Sequence, residues 1–194
     1  VEEFLARGDN LEEEREDETP LISSIKRRNK EVFLSLLEYG ADLNHSVSGS
    51  MKPIQWAASE GWKDMVEALV KAGADLNENE GGLGTPLHIA ANNGAVDVTE
   101  GLLALGADTE LRDDDHRTAL MKACERGLED VVDRLLAAGT VVNAFDDYGY
   151  ISLIWASMKG RLGVVDRLVI HGANINHQTN YGWTSLMYAS NNGH

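Results

Sequence analysis

The sequence predicts an all-α solenoid, built from a 33-residue unit of helix, turn, helix and hairpin loop. Three series of residues predict it. Segments of the Thr-Pro-Leu type start six units: Thr19-Pro20-Leu21, Lys52-Pro53-Ile54, Thr85-Pro86-Leu87, Thr118-Ala119-Leu120, Ile151-Ser152-Leu153 and Thr184-Ser185-Leu186. Each start lies 33 residues after the one before it. Gly61, Gly94, Gly127, Gly160 and Gly193 keep the same step, as do Gly40, Gly73, Gly106, Gly139 and Gly172. Three series in one register do not arise by chance, and a period of this length marks a repeat architecture.

Each part of the unit has a physical task. The Thr hydroxyl can cap the orphan N–H groups of a helix start, and Pro fits the first helical position. A short helix follows, as in Pro86-Leu87-His88-Ile89-Ala90-Ala91, whose small alanines let a neighbour pack closely. The glycine nine residues after the start supplies a left-handed ending. A second helix then opens with Asp64, Asp97 or Asp130 in its first turn, where negative charge suits the helix dipole. Its apolar residues recur as Met65/Val66/Leu69/Val70, Val131/Val132/Leu135/Leu136 and Val164/Val165/Leu168/Val169, one stripe on one face. The second glycine series ends this helix, and a polar hairpin such as 75–84 leads onward. A single unit cannot bury its own stripe, so units must stack and these apolar residues are expected in the core.

Thr85-Pro86-Leu87-His88-Ile89-Ala90 matches T-P-L-H-x-A letter for letter. The chain thus resembles the ankyrin-repeat family along nearly its whole length. Units are expected at 19–51, 52–84, 85–117, 118–150 and 151–183. Residues 1–18 read as the second half of a preceding unit plus an acidic tip, and 184–194 as the first helix of a truncated one. Val1, Leu5 and Gly8 precede Phe33, Leu37 and Gly40 by 32 residues. The chain is therefore expected to be a fragment of a longer array. Two departures stand out. Arg28 replaces the mid-unit glycine, so that helix should end differently, and Ile151 lacks the Thr cap, at a local cost of about 1 kcal/mol.

The composition narrows the function classes. A formal charge of −15 disfavours nucleic acid and anionic membrane surfaces. No apolar run approaches the roughly 20 residues of a membrane-spanning helix, and 1–11 lacks the features of a signal peptide. Cys124 is the single cysteine, which fits an intracellular, cytoplasmic setting with the nucleus also open. It replaces Ala58 and Ala91 of other units and should be a small buried side chain. The six histidines stand apart from Cys or carboxylates at metal-ligand spacing, so no metal site, cofactor or catalytic motif is expected. Gly81-Gly82-Leu83-Gly84 lies in a hairpin with no phosphate-loop lysine after it. The expectation is a monomer without enzymatic activity.

The resemblance implies a protein partner lying in a concave groove, lined by hairpin tips and the inner face of the first helices. The early tips are acidic, with Glu12 to Glu18, Glu78, Glu80, and Asp113, Asp114 and Asp115. The late tips are aromatic, with Tyr148, Tyr150, Tyr181 and Trp183, supported by Trp155 and Met158. Tyr148 and Tyr181 are one period apart, as are Tyr150 and Trp183, and are expected to stand as adjacent fingers. Trp56 occupies a groove-or-core position on an earlier helix. The candidate partner-binding set is Trp56, Asp114, Asp115, Tyr148, Tyr150, Trp155, Met158, Tyr181 and Trp183, because Tyr and Trp dominate interface hot spots. The partner would be basic or carry an apolar anchor. Two alternatives stand beside this one: a ligand-sensing regulatory module of a larger enzyme, using Arg117 and Lys159, and a structural spacer. The resemblance also implies that His88 hydrogen-bonds backbone between units, and that Asn44, Asn77, Asn143 and Asn176 are candidate sites of asparaginyl hydroxylation.

Overall fold

A computed structural model describes residues 10–14, 18–46, 51–79 and 81–194. The proposed half-unit at 1–9, and the central part of the acidic run at 15–17, lie outside the described residues. Eleven helices are present among them: α1 Pro20–Lys26, α2 Lys30–Glu38, α3 Pro53–Ser59, α4 Lys63–Ala72, α5 Pro86–Asn93, α6 Val96–Ala104, α7 Ala119–Arg126, α8 Glu129–Ala137, α9 Ser152–Met158, α10 Leu162–Ile170 and α11 Ser185–Asn191. No helix among the described residues is long and apolar enough to cross a membrane.

The helix starts follow the chemistry of their first residues. Thr19, Thr85, Thr118 and Thr184 accept the N–H groups of Ile22, His88, Met121 and Met187 on their hydroxyls. Ile151 accepts nothing on its side chain, and the Ile154 N–H turns to the Ile151 carbonyl at 2.9 Å. Gly94 and Gly127 end α5 and α7 with φ of 73° and 77°. A Cβ at Gly127 would lie 2.7 Å from the Arg161 side chain of the following unit, so glycine serves both the turn and the close approach. Arg28 meets the same demand without being glycine. It takes φ of 50° itself, with its guanidinium 4.0 Å from the centre of the Trp62 ring.

The odd-numbered helices pack side by side as one layer and the even-numbered helices as another. The core runs between the layers, through Leu21, Ile54, Leu87, Leu120 and Leu153 from the first helices and Phe33, Met65, Val98, Val131 and Val164 from the second. Cys124 is fully buried within it, and burial pushes its thiol pKa up. Val169 departs from the expected core. It is 45% exposed, on the wall of an open cavity. Ile175 and Leu186, also exposed, line with it a cavity of about 540 Å³ together with Leu153, Leu162, Val165 and Ala189.

Hydrogen bonds between hairpins hold the units in register. Asn77 Oδ1 accepts the Asp108 N–H at 2.9 Å, Glu110 Oε1 the Val141 N–H at 2.9 Å, and Asn143 Oδ1 the Asn174 N–H at 2.8 Å. Glu12 Oε1 does the same for Asp42 at 2.8 Å, over 30 residues instead of 31. His88 adds a second tie. Its Nε2–H donates to the Arg117 carbonyl at 2.9 Å, while Nδ1 accepts from the Thr85 N–H and hydroxyl. Gln55 repeats this one unit earlier, accepting from Lys52 N–H and donating to the Gly84 carbonyl at 3.0 Å.

Candidate partner-binding surface

Three of the tips are each shaped by one residue. The Asp146 carboxylate oxygen Oδ1 accepts the N–H groups of Tyr148 and Tyr150, and Asp113 Oδ1 accepts those of Asp115 and Arg117. Thr179 Oγ1 takes the same place for Tyr181 and Trp183. A short acceptor at this position closes the loop and aims the residues two and four places on, and its recurrence at 113, 146 and 179 keeps the unit period. Asp146 is buried, and its other oxygen accepts the Trp155 indole N–H at 3.2 Å. None of these three residues is in the candidate set, although the 33-residue period links them.

Above these turns the aromatic residues form one contiguous cluster. Tyr150 lies edge-on to Trp155 and Tyr188, with ring centres 5.2 and 5.5 Å away, and Tyr148 is 6.2 Å from Tyr150. Trp183 lies 5.1 Å from Tyr188. Tyr188 on α11 is thus the bridge between the expected fingers Tyr150 and Trp183, and its hydroxyl donates to that of Tyr150 at 3.0 Å. Burial is the main cause that raises the Tyr150 pKa, so its hydroxyl stays protonated. Tyr148, Tyr181 and Trp183 are exposed at 56%, 63% and 37%, whereas Tyr150, Trp155, Met158 and Tyr188 are half-buried beneath them. Tyr148 and Tyr181 meet through their loops, since Asn180 N–H donates to the Tyr148 carbonyl at 3.0 Å.

A charged network flanks the aromatic cluster. Lys122 reaches the buried Asp113, Arg117 pairs with Asp115 and Glu125, and Lys159 pairs with Glu125. Burial alone would raise the Asp113 carboxyl, but Lys122 and the Arg117 N–H outweigh it and hold its pKa below the ordinary value. Arg117 also stacks 5.4 Å from the centre of the Trp155 ring. Asp115 is therefore tied into the network, while Asp114 stands exposed on the tip with no ion pair among the described residues. Trp56 belongs to a separate site. Half-buried on α3, it carries Lys26 Nζ 3.8 Å above its ring, far along the chain from the late tips.

The hairpin asparagines are part of the framework. Asn77 and Asn143 have their carboxamide oxygens committed to the next unit, and Asn44, Asn143 and Asn176 are exposed. Among the described residues no group of three or more His, Cys, Asp or Glu could hold a metal ion.

No curated protein matches this chain. A family model described as ankyrin repeats, 3 copies, matches residues 45–113 and 87–179, which together take in more than half of the chain. With its capped first helices, left-handed turns and inter-unit hydrogen bonds, the chain belongs to the ankyrin-repeat family.

Proposed function

We propose that the chain is a non-catalytic recognition module whose protein partner docks on the aromatic cluster of its last units. Ankyrin repeats generally mediate protein–protein interactions. The observation that carries the reading is the contiguous set Tyr148, Tyr150, Trp155, Trp183 and Tyr188, with its outer members exposed on rigid hairpin tips. Large amphipathic rings held in place by packing lose little entropy on binding and bury much area, the properties of hot-spot residues. Asp114 and the tips beside it add an acidic rim for a partner with a cation next to its apolar anchor. An anionic ligand is a poorer match, because Arg117 and Lys159 already pair with carboxylates.

Affinity capture with the Tyr148→Ala/Trp183→Ala double variant tests the proposal, since these are among the exposed rings of the cluster. The expected result is a partner captured by the parent chain and lost by a variant with unchanged circular dichroism. Retention of every partner would move the site elsewhere, and capture of nothing by either chain would favour a spacer. The hairpin asparagines Asn44, Asn77, Asn143 and Asn176 are a separate proposal as hydroxylation sites. Incubation with an asparaginyl hydroxylase should add single oxygen atoms to the intact mass, and no mass gain would remove that proposal.

A further inference from the structure

We propose that the aromatic cluster takes an extended, proline-rich segment carrying a basic residue, bound in the polyproline II conformation. The inference rests on the reading that this surface binds a protein segment, and it specifies that segment's conformation and composition.

The ring geometry carries the first part of the argument. Neighbouring rings meet at 74° for Tyr150 and Tyr188, 46° for Trp183 and Tyr188, and 42° for Tyr148 and Tyr150. Rings tilted against one another present faces and edges in alternation rather than one flat plane. Flat pyrrolidine rings pack against such faces, and aromatic-lined surfaces recognise polyproline segments on unrelated folds. Hydrogen bonding carries the second part. The Tyr188 and Tyr150 hydroxyls share one hydrogen bond at 3.0 Å, which uses one of their two protons and leaves the other for a partner. No other acceptor among the described residues takes a proton from this pair or from the Trp183 indole. The surface therefore offers donors. A polyproline II backbone has every carbonyl free to accept, and its prolines bring no N–H groups that would need acceptors here. It is also ordered before binding, which lowers the entropic cost.

Charge sets the remaining feature. Asp114 and Asp147 hold the same place in successive tips, both exposed, and Asp147 adjoins Tyr148. Their neighbours Arg117, Lys122 and Lys159 are bound to Asp113, Asp115 and Glu125. Asp147 Oδ2 lies 3.0 Å from His116 Nδ1, and Asp114 has no ion pair among the described residues, so the charge left to meet a partner is a carboxylate, which calls for Lys or Arg in the bound segment.

The test is a titration of isotope-labelled chain with three end-capped peptides of about a dozen residues. One contains repeated Pro-x-x-Pro steps and a flanking arginine, one has its prolines replaced by alanine, and one is an amphipathic helix with a leucine stripe and an arginine. The proline peptide is expected to shift the Trp183 indole resonance and to bind about tenfold more tightly than its alanine counterpart. Trp183→Phe, which keeps an aromatic ring and removes the N–H donor, should weaken it about threefold. Asp114→Asn with Asp147→Asn should weaken it at low salt and much less at high salt. Equal binding of the alanine peptide, or preference for the helix at the same rings, overturns the polyproline inference and leaves the protein-binding reading standing. Failure of all three peptides to move these rings also overturns it. Loss or retention of partners by the Tyr148→Ala/Trp183→Ala variant then judges the broader reading separately.

Discussion

The His88 ring has both nitrogens committed in the neutral state, Nε2 as donor to the next unit and Nδ1 as acceptor from Thr85. Burial is the main cause that lowers its pKa, and Lys122 adds to it, against the Arg117 carbonyl and Asp113, which pull the other way. The unfolded chain then binds a proton below the ordinary histidine value of about 6.5 that the folded chain resists. This contribution to stability is complete above that pH and is lost as pH falls below it. His88→Gln, which copies the bonding of Gln55, should flatten the stability change between about pH 7 and pH 5, as read by urea unfolding. Asp146 is a second residue with more than one task, accepting two backbone N–H groups and the Trp155 indole. Asp146→Ala should cost roughly 3 kcal/mol by orphaning these donors, and Asp146→Asn, which keeps an acceptor, less. Thermal unfolding and tryptophan fluorescence would measure both. The sequence exposed the aromatic residues plainly, but not the carboxylate beneath them, because an Asp in a hairpin also reads as an ordinary solvated loop residue.

Helix starts and stops account for most of what was legible in each unit. The missing cap on α9 is an example: Ile151 is fully buried but offers no side-chain acceptor. Thr and Val have the same shape, so Ile151→Thr should be more stable than Ile151→Val by about 1 kcal/mol in a denaturant titration, the value of the restored cap. Lys52 stands where other units have Thr, and it pairs instead with the buried Glu78 at 2.6 Å. Lys52→Met should destabilise, since it removes this ion pair from a buried carboxylate. The double change to Lys52→Met/Glu78→Leu should recover much of that loss. Unfolding of the two variants side by side would show it. Arg28 marks the limit of reading an element locally. A non-glycine there suggested a different helix ending, yet the left-handed turn persists with the side chain laid over Trp62 of the next unit.

Across the array, stability against acid is spread over carboxylates that pair with lysines between or within units. The Lys26 hydrogen bond lowers Glu18, the Lys30 hydrogen bond lowers Asp64, and Lys122 with the Arg117 N–H lowers the buried Asp113. Each stabilises the fold above the ordinary carboxylate range, and the contribution disappears as pH falls through it, near 4 and below. His45 has the opposite sign. The Glu14 hydrogen bond, opposed by burial and aided by Glu12, raises its pKa, so its contribution is lost as pH rises past the ordinary histidine value. The urea midpoint should therefore fall steeply below about pH 4, and His45→Gln should leave that fall unchanged. The period, the helix pairs and the buried stripes could be read from the linear chain, because each unit repeats the same cap, turn and spacing within a few residues. The joining of Tyr150 and Trp183 through Tyr188, the exposure of Val169 and the pairing of Lys52 with Glu78 could not. These depend on how one unit sits against the next, and that relation is set by side-chain packing between helices rather than by the preferences of any local segment.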